Sequence, residues 1–161
     1  MKNQEYIEYT YKHRKIVIYL ANKYVKKDKE KVLKQIEDHD VDKLFAYLFY
    51  NKKDVSQMHR SSSSHHQNEL EKKDIDYIEM VLDWESARYT KPDKPLNAYD
   101  TLYKYYSNME EKILPILKEF GIAKSNLPME EDVLKYANSI KNVTIDEIKN
   151  EMIEYINKIF N

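Results

Sequence analysis

The sequence predicts an all-α fold, a single-domain bundle of about seven helices. Two observations carry that expectation. The 161 residues include one Gly and four Pro, too few to turn the chain between many strands. Apolar residues also recur at spacings of three and four, the period of a helix with one buried face.

From Glu5 to Lys26 the residues Tyr6, Tyr9, His13, Ile16, Val17, Leu20 and Tyr24 form such a stripe. A second helix is expected from about Lys29 to Tyr50, its stripe passing through Val32, Leu33, Ile36, Asp40, Leu44 and Tyr47. Residues 51–66 are polar, carry four serines in a row from Ser61 to Ser64, and read as a mobile loop. A third helix is expected from about Asn68 to Tyr89, with Pro92 and Pro95 ending it. Asn97 suits the N-cap of a helix to about Tyr106, and the next helix runs from Asn108 to Phe120 with Gly121 as its left-handed stop. Pro128 suits the first turn of a helix through Ile140. Thr144 and Glu147 have capping-box spacing for a last helix to Phe160. No repeat or boundary divides the chain, so residues 1–161 read as one domain. Its chemistry falls within 5–90, and 122–161 close the core or form an oligomer contact.

Composition excludes several function classes. With no cysteine there are no disulfides, thiolate metal sites or cysteine nucleophiles. The 27 basic and 28 acidic side chains nearly cancel, so no general pull toward duplex nucleic acid or acidic membranes is expected. No apolar run approaches the roughly 18 residues of a membrane span, and Met1 to Glu5 lack the apolar region of a signal peptide. A cytoplasmic protein is expected. A single glycine rules out a Gly-rich phosphate loop.

All five histidines, His13, His39, His59, His65 and His66, lie in the first 66 residues. His13 sits in the middle of an apolar stripe, one turn from Tyr9 and one from Val17. Asp40 follows His39 directly and lies between Ile36 and Leu44, so its carboxylate is expected to face inward. Asp83 shares a helical face with Met80 and Ala87. A buried carboxylate left unpaired costs several kcal/mol. Two inward acids and two inward histidines therefore either bind a divalent metal or satisfy one another as buried His–Asp hydrogen bonds. Spacing alone does not choose between the two.

The order His13, then His39-Asp40, then Asp83, on three successive helices, resembles the HD superfamily of metal-dependent phosphohydrolases. His39-Asp40-Val41-Asp42-Lys43 is similar to its H-D-x-x-K variant. Three further stretches, Ser64 to Glu69, Leu82 to Arg88 and Lys91 to Ala98, resemble a small uncharacterised HD-like family of Gram-positive bacteria and their phages. That likeness spans about residues 5–120 and implies no particular substrate.

The superfamily resemblance implies that His13, His39, Asp40 and Asp83 are ligands of a divalent transition metal such as Mn, Fe, Co or Ni, with Zn also compatible. Lys43 would neutralise a substrate phosphate. In dinuclear relatives two further histidines between the His-Asp pair and the last Asp bind a second metal. The histidines here are more tightly spaced than that pattern, and a second metal is left open. His65 and His66 are instead expected at the N-terminus of the third helix, where backbone N–H groups favour a phosphate. Glu69, four residues after His65, is a candidate to orient it or act as a base. His59 is left as either a loop residue or a ligand. Arg88, with Lys91 and Lys94, forms either a small basic rim suited to a nucleotide's phosphates or the ordinary cationic end of a helix. The resulting expectation is an enzyme, a nucleotidase or phosphodiesterase acting on a small phosphorylated molecule. The alternatives are a non-catalytic binding or inhibitor protein that retains the site, and a di-iron oxygenase of HD type. A homodimer is compatible with the resemblance.

Overall fold

The computed structural model describes residues 3–68, 70–91, 93 and 96–160, and among these every regular element is helical. α1 spans Gln4–Tyr24, α2 Lys29–Ile36, α3 Val41–Ala46, α4 Lys52–Ser62 and α5 Asp74–Thr90. α6 spans Ala98–Tyr105, and a 3-10 turn at Ser107–Met109 leads into α7, Glu110–Phe120. α8 covers Glu131–Ser139 and α9 Ile145–Phe160.

α1 buries Ile7, Thr10, His13, Ile16, Val17, Leu20, Ala21 and Tyr24, a stripe at intervals of three and four that runs the helix's length. Each large aliphatic side chain so buried contributes about 1.5–3 kcal/mol. The stripe feeds two apolar clusters. Ile16, Val17 and Leu20 join Ile36, Leu82, Leu102, Ile113 and Leu117 in the larger one. Ile7 joins Leu44, Tyr47, Val55, Val143 and Ile148 in the smaller. His13 lies between Ile7 and Ile16 on this face, at the seam of the two clusters. That seam is where the polar residues gather.

Four elements differ from the sequence expectation. The helix expected over 29–50 breaks at residues 37–40, because Asp40 adopts the left-handed region (φ 55°, ψ 15°). The 51–66 segment is helical over 52–62; Asn51 caps it, its side chain accepting from the Asp54 N–H at 2.9 Å. α5 starts at Asp74 rather than Asn68, so His65 and His66 lie in the connection before it and not at a helix N-terminus. α8 starts at Glu131, three residues beyond Pro128, with Glu130 at its N-cap. The later stops behave as expected: Asn97 caps α6, and Gly121 ends α7 at φ 73°. Thr144 and Glu147 exchange a reciprocal pair of bonds at 2.9 and 3.2 Å. Pro92, Pro95 and Lys94 of the expected turn lie outside the described residues. No helix among the described residues is long and apolar enough to cross a membrane.

Candidate metal centre

The left-handed turn at Asp40 decides the geometry of the site. Adjacent residues of a helix point about 100° apart, but a turn lets His39 and Asp40 face one point together. Both are buried, His39 at 1% exposure. α1 brings His13 to the same point and α5 brings Asp83. The nitrogen Nε2 of His13 stands 2.7 Å from Asp83 Oδ1 and 3.2 Å from His39 Nε2. Asp40 Oδ2 is 3.4 Å from His39 Nε2 and 3.8 Å from His13 Nε2. These four residues form one candidate ligand cluster, the set that the resemblance implies.

A second cluster lies on the other side of the same carboxylate. Asp40 Oδ1 is 2.8 Å from His59 Nε2 and 3.1 Å from His65 Nε2. Asp40, His59, His65 and His66 have donor atoms close enough to share an ion. α4 supplies His59 and the connection before α5 supplies the other two. The close spacing in sequence is therefore no obstacle to bringing them together: a single turn of chain after α4 folds His65 back over His59.

The outer nitrogens show how the rings are held. His39 Nδ1 and His65 Nδ1 both reach Glu79 Oε2, at 2.8 and 2.7 Å. His59 Nδ1 lies 2.8 Å from Asp42 Oδ2. Ser86 Oγ donates to the Asp83 carbonyl at 2.8 Å, which leaves its lone pairs for His13 Nδ1 at 3.0 Å. These partners hold the four rings from outside at Nδ1, so four Nε2 atoms point inward, each a lone pair wherever no proton sits on it. They meet in pairs, His13 with His39 and His59 with His65, each pair 3.2 Å apart. Two unprotonated nitrogens so placed repel unless a proton or a metal cation lies between them. Two nitrogens about 2.1 Å from one ion and at right angles to each other are about 3.0 Å apart, so the spacing fits a shared metal.

Two buried atoms strengthen the fit. Asp40 Oδ1 and His66 Nε2 have no hydrogen-bond partner. His59 and His65 Nε2 lie 2.8 and 3.1 Å from Asp40 Oδ1, close enough for charge to act between them but off the line of a hydrogen bond. Unpaired buried polar atoms are uncommon and point to an ion or water.

Electrostatics agree with a cation-binding cluster. Burial alone would raise Asp40 and Asp83. The His39 charge and the His59 and His65 rings outweigh burial at Asp40, as the bonds from His13 and His39 do at Asp83, and both carboxyls lie well below their ordinary range. Glu79 is likewise held down to about 2 by the two imidazoles it accepts, against the effect of burial. Burial would lower His65, but the carboxylates of Asp40 and Glu79 beside it push it up to about 9. His66 falls to about 3, through burial and then the neighbouring His65 charge. Lys43 lies 3.6 Å from Asp40 Oδ2, and Asp40 and Asp83 raise its pKa against the effect of burial. Tyr9 stacks on His13 with ring centroids 6.0 Å apart. A cavity of about 210 Å³ between Gln35, Asp42, Ser63 and Glu79 opens onto Asp40 and His65, an acidic approach suited to a cation.

The expected residues divide accordingly. His13, His39, Asp40 and Asp83 meet, and Lys43 stands beside them. His65 and His66 join His59 around Asp40 rather than forming a phosphate pocket at a helix end. Arg88 is not on a rim. It is buried on the far side of α5, donating to the Leu127 carbonyl and lying 3.8 Å from Glu85 Oε2, so it ties α5 to the chain before α8. Glu69 lies outside the described residues. Sequence reasoning missed Glu79, Asp42 and Ser86, the residues that orient the rings. Glu79 carries a signal: with Asp76 and Asp83 it forms a run of acids at spacings of three and four on the inward face of α5.

No protein-family model, curated protein or solved structure matches this chain.

Proposed function

We propose that the chain is a metal-dependent phosphohydrolase acting on a small phosphorylated molecule, a nucleotide in the first instance. The observation that carries the proposal is the inward convergence of the Nε2 atoms of His13, His39, His59 and His65 around the two oxygens of Asp40, with each of these four rings held at Nδ1 from outside. Mixed imidazole and carboxylate donors suit Mn²⁺, Fe²⁺, Co²⁺ or Ni²⁺, with Zn²⁺ also compatible. His13, His39, Asp40 and Asp83 would hold one ion, and Asp40, His59, His65 and His66 a second. Bound there, such ions supply a water nucleophile at neutral pH and neutralise charge on a phosphoryl group. Lys43, kept protonated by Asp40 and Asp83, adds a positive charge at the same place. Tyr9 fixes the His13 ring by stacking, and Ser86 fixes its tautomer.

The test is metal content by mass spectrometry together with a hydrolysis screen. Wild type is expected to hold about two equivalents of transition metal. Asp40→Asn, which keeps the left-handed turn because Asn tolerates it, should lose both. Wild type loaded with Mn²⁺ should release phosphate from nucleotides, and Lys43→Ala should lower kcat/KM by about 10–100-fold, the loss of one charge-assisted contact of about 1.5–3 kcal/mol. A wild type that takes up no added metal would refute the proposal.

One observation favours a second activity on the same site. Five histidines and two aspartates make up the two candidate groups that share Asp40, and a di-iron oxygenase of HD type requires two occupied ion sites. Oxygen consumption by the Fe²⁺-loaded protein in the presence of substrate, with no phosphate released, would select that activity instead.

A further inference from the structure

Outside the two proposed ligand sets, Glu79 is the residue among those described whose side chain holds a ring from each cluster. Its Oε2 accepts from His39 Nδ1 at 2.8 Å and from His65 Nδ1 at 2.7 Å. The other outer contacts serve one ring each: Asp42 holds His59 and Ser86 holds His13. The second oxygen of Glu79 is fixed in turn. Gln35 Nε2 donates to Glu79 Oε1 at 2.8 Å and to Asp76 Oδ1 at 2.9 Å. Asp76 Oδ1 also accepts from Ser64 Oγ at 2.7 Å, one residue before His65. Glu79 is 4% exposed, so water does not replace any of these contacts.

From this geometry we infer that Glu79 is a positioning residue that fastens the two ion sites to each other, so that its loss weakens both while loss of any other ring-holding side chain weakens one. The inference rests on the proposed metal centre. Its physical basis is the sharing of one oxygen. Turning Oε2 to suit His39 also moves the acceptor of His65, and His65 has no helix to hold it, since it lies in the connection between α4 and α5. Fixing His39 therefore also fixes Glu79 Oε2, and with it the tautomer and direction of His65. The two sites would thus be coupled through an acceptor that belongs to neither proposed ligand set.

The experiment is a calorimetric titration of the metal-free full chain with Mn²⁺. The variants are Glu79→Gln, which keeps the size and one acceptor oxygen, and Ser86→Ala. Circular dichroism first confirms that each is helical. Wild type is expected to fill two sites. Glu79→Gln should weaken both dissociation constants, each by about 10–100-fold, the usual effect of removing a ligand's outer partner. Ser86→Ala should weaken one by a similar factor and leave the other within about threefold. Electron paramagnetic resonance of the half-loaded protein gives a second readout: the spectrum of a coupled Mn²⁺ pair in wild type, and that of isolated ions in Glu79→Gln. A Glu79→Gln protein that weakens one site only, or neither, would overturn the inference while leaving the metal centre standing. A wild type that binds no Mn²⁺ would overturn both.

Discussion

In the candidate metal centre protons compete with an ion, and they would have to leave before one enters. His65 shows the size of this competition. Asp40 and Glu79 raise it to about 9, against about 6.5 in an unfolded chain. At pH 6.5 roughly 0.3% of His65 is neutral, and at pH 8.5 roughly a quarter. Competition with this one proton alone should raise the apparent Mn²⁺ affinity of the second cluster roughly 75-fold across that range. The metal-free protein should move the opposite way. A histidine whose folded pKa is raised contributes stability that is complete below pH 6.5 and is lost as the pH climbs through 9. For His65, buried beside its partners, the loss is about 3 kcal/mol. Calorimetry in two buffers of different ionisation enthalpy counts the protons released per ion, with at least one expected at pH 7. Urea unfolding with a chelator present follows the stability. An affinity that stays flat from pH 6.5 to 8.5, with no proton released, would refute the reasoning.

Two predictions concern the scaffold. Asn97 is fully buried, accepts from the Asp100 N–H at 2.9 Å and donates to the Lys124 carbonyl at 2.8 Å; Asn97→Ala should cost about 2–3 kcal/mol in urea unfolding, the lost cap plus a stranded carbonyl, and a loss under about 0.5 kcal/mol would contradict this. Gly121 sits at φ 73° with open space around a would-be Cβ, so Gly121→Ala should cost about 1 kcal/mol through backbone strain alone and lower the melting temperature by about 2–4 °C; an unchanged melting temperature would count against it.

Helical period and glycine scarcity made the fold class legible, and the order of His13, His39-Asp40 and Asp83 made one ligand cluster legible. The break between α2 and α3 was hidden because Ile36 and Leu44 lie eight residues apart, in register for one continuous helix, and nothing in their pattern shows that Asp40 turns left-handed. α4 was hidden by its polarity: only Val55 and His59 of its eleven residues are buried, one turn apart, and the Asn51 cap was its sole clear mark. Missing α4 left the second cluster open, because a mobile loop offers no way to hold His59 against His65. Glu79 escaped for a different reason. Its partners are histidines from two distant stretches, and only the folded chain places both on one oxygen.

Arg14 joins α1 to α9 across the His-Asp turn. It donates to the carbonyls of Glu37 and His39, both at 2.8 Å, and pairs with Glu151 of α9. Lys158, near the end of α9, reaches Asp38 at 3.1 Å. Synthesis runs from the N-terminus, so the nascent chain exposes every ligand long before these two clasps exist. The turn that aims His39 and Asp40 is thus made well before the helix that fastens it. Any ion capture during translation would have to wait for α9 to leave the ribosome, or proceed with the turn still loose.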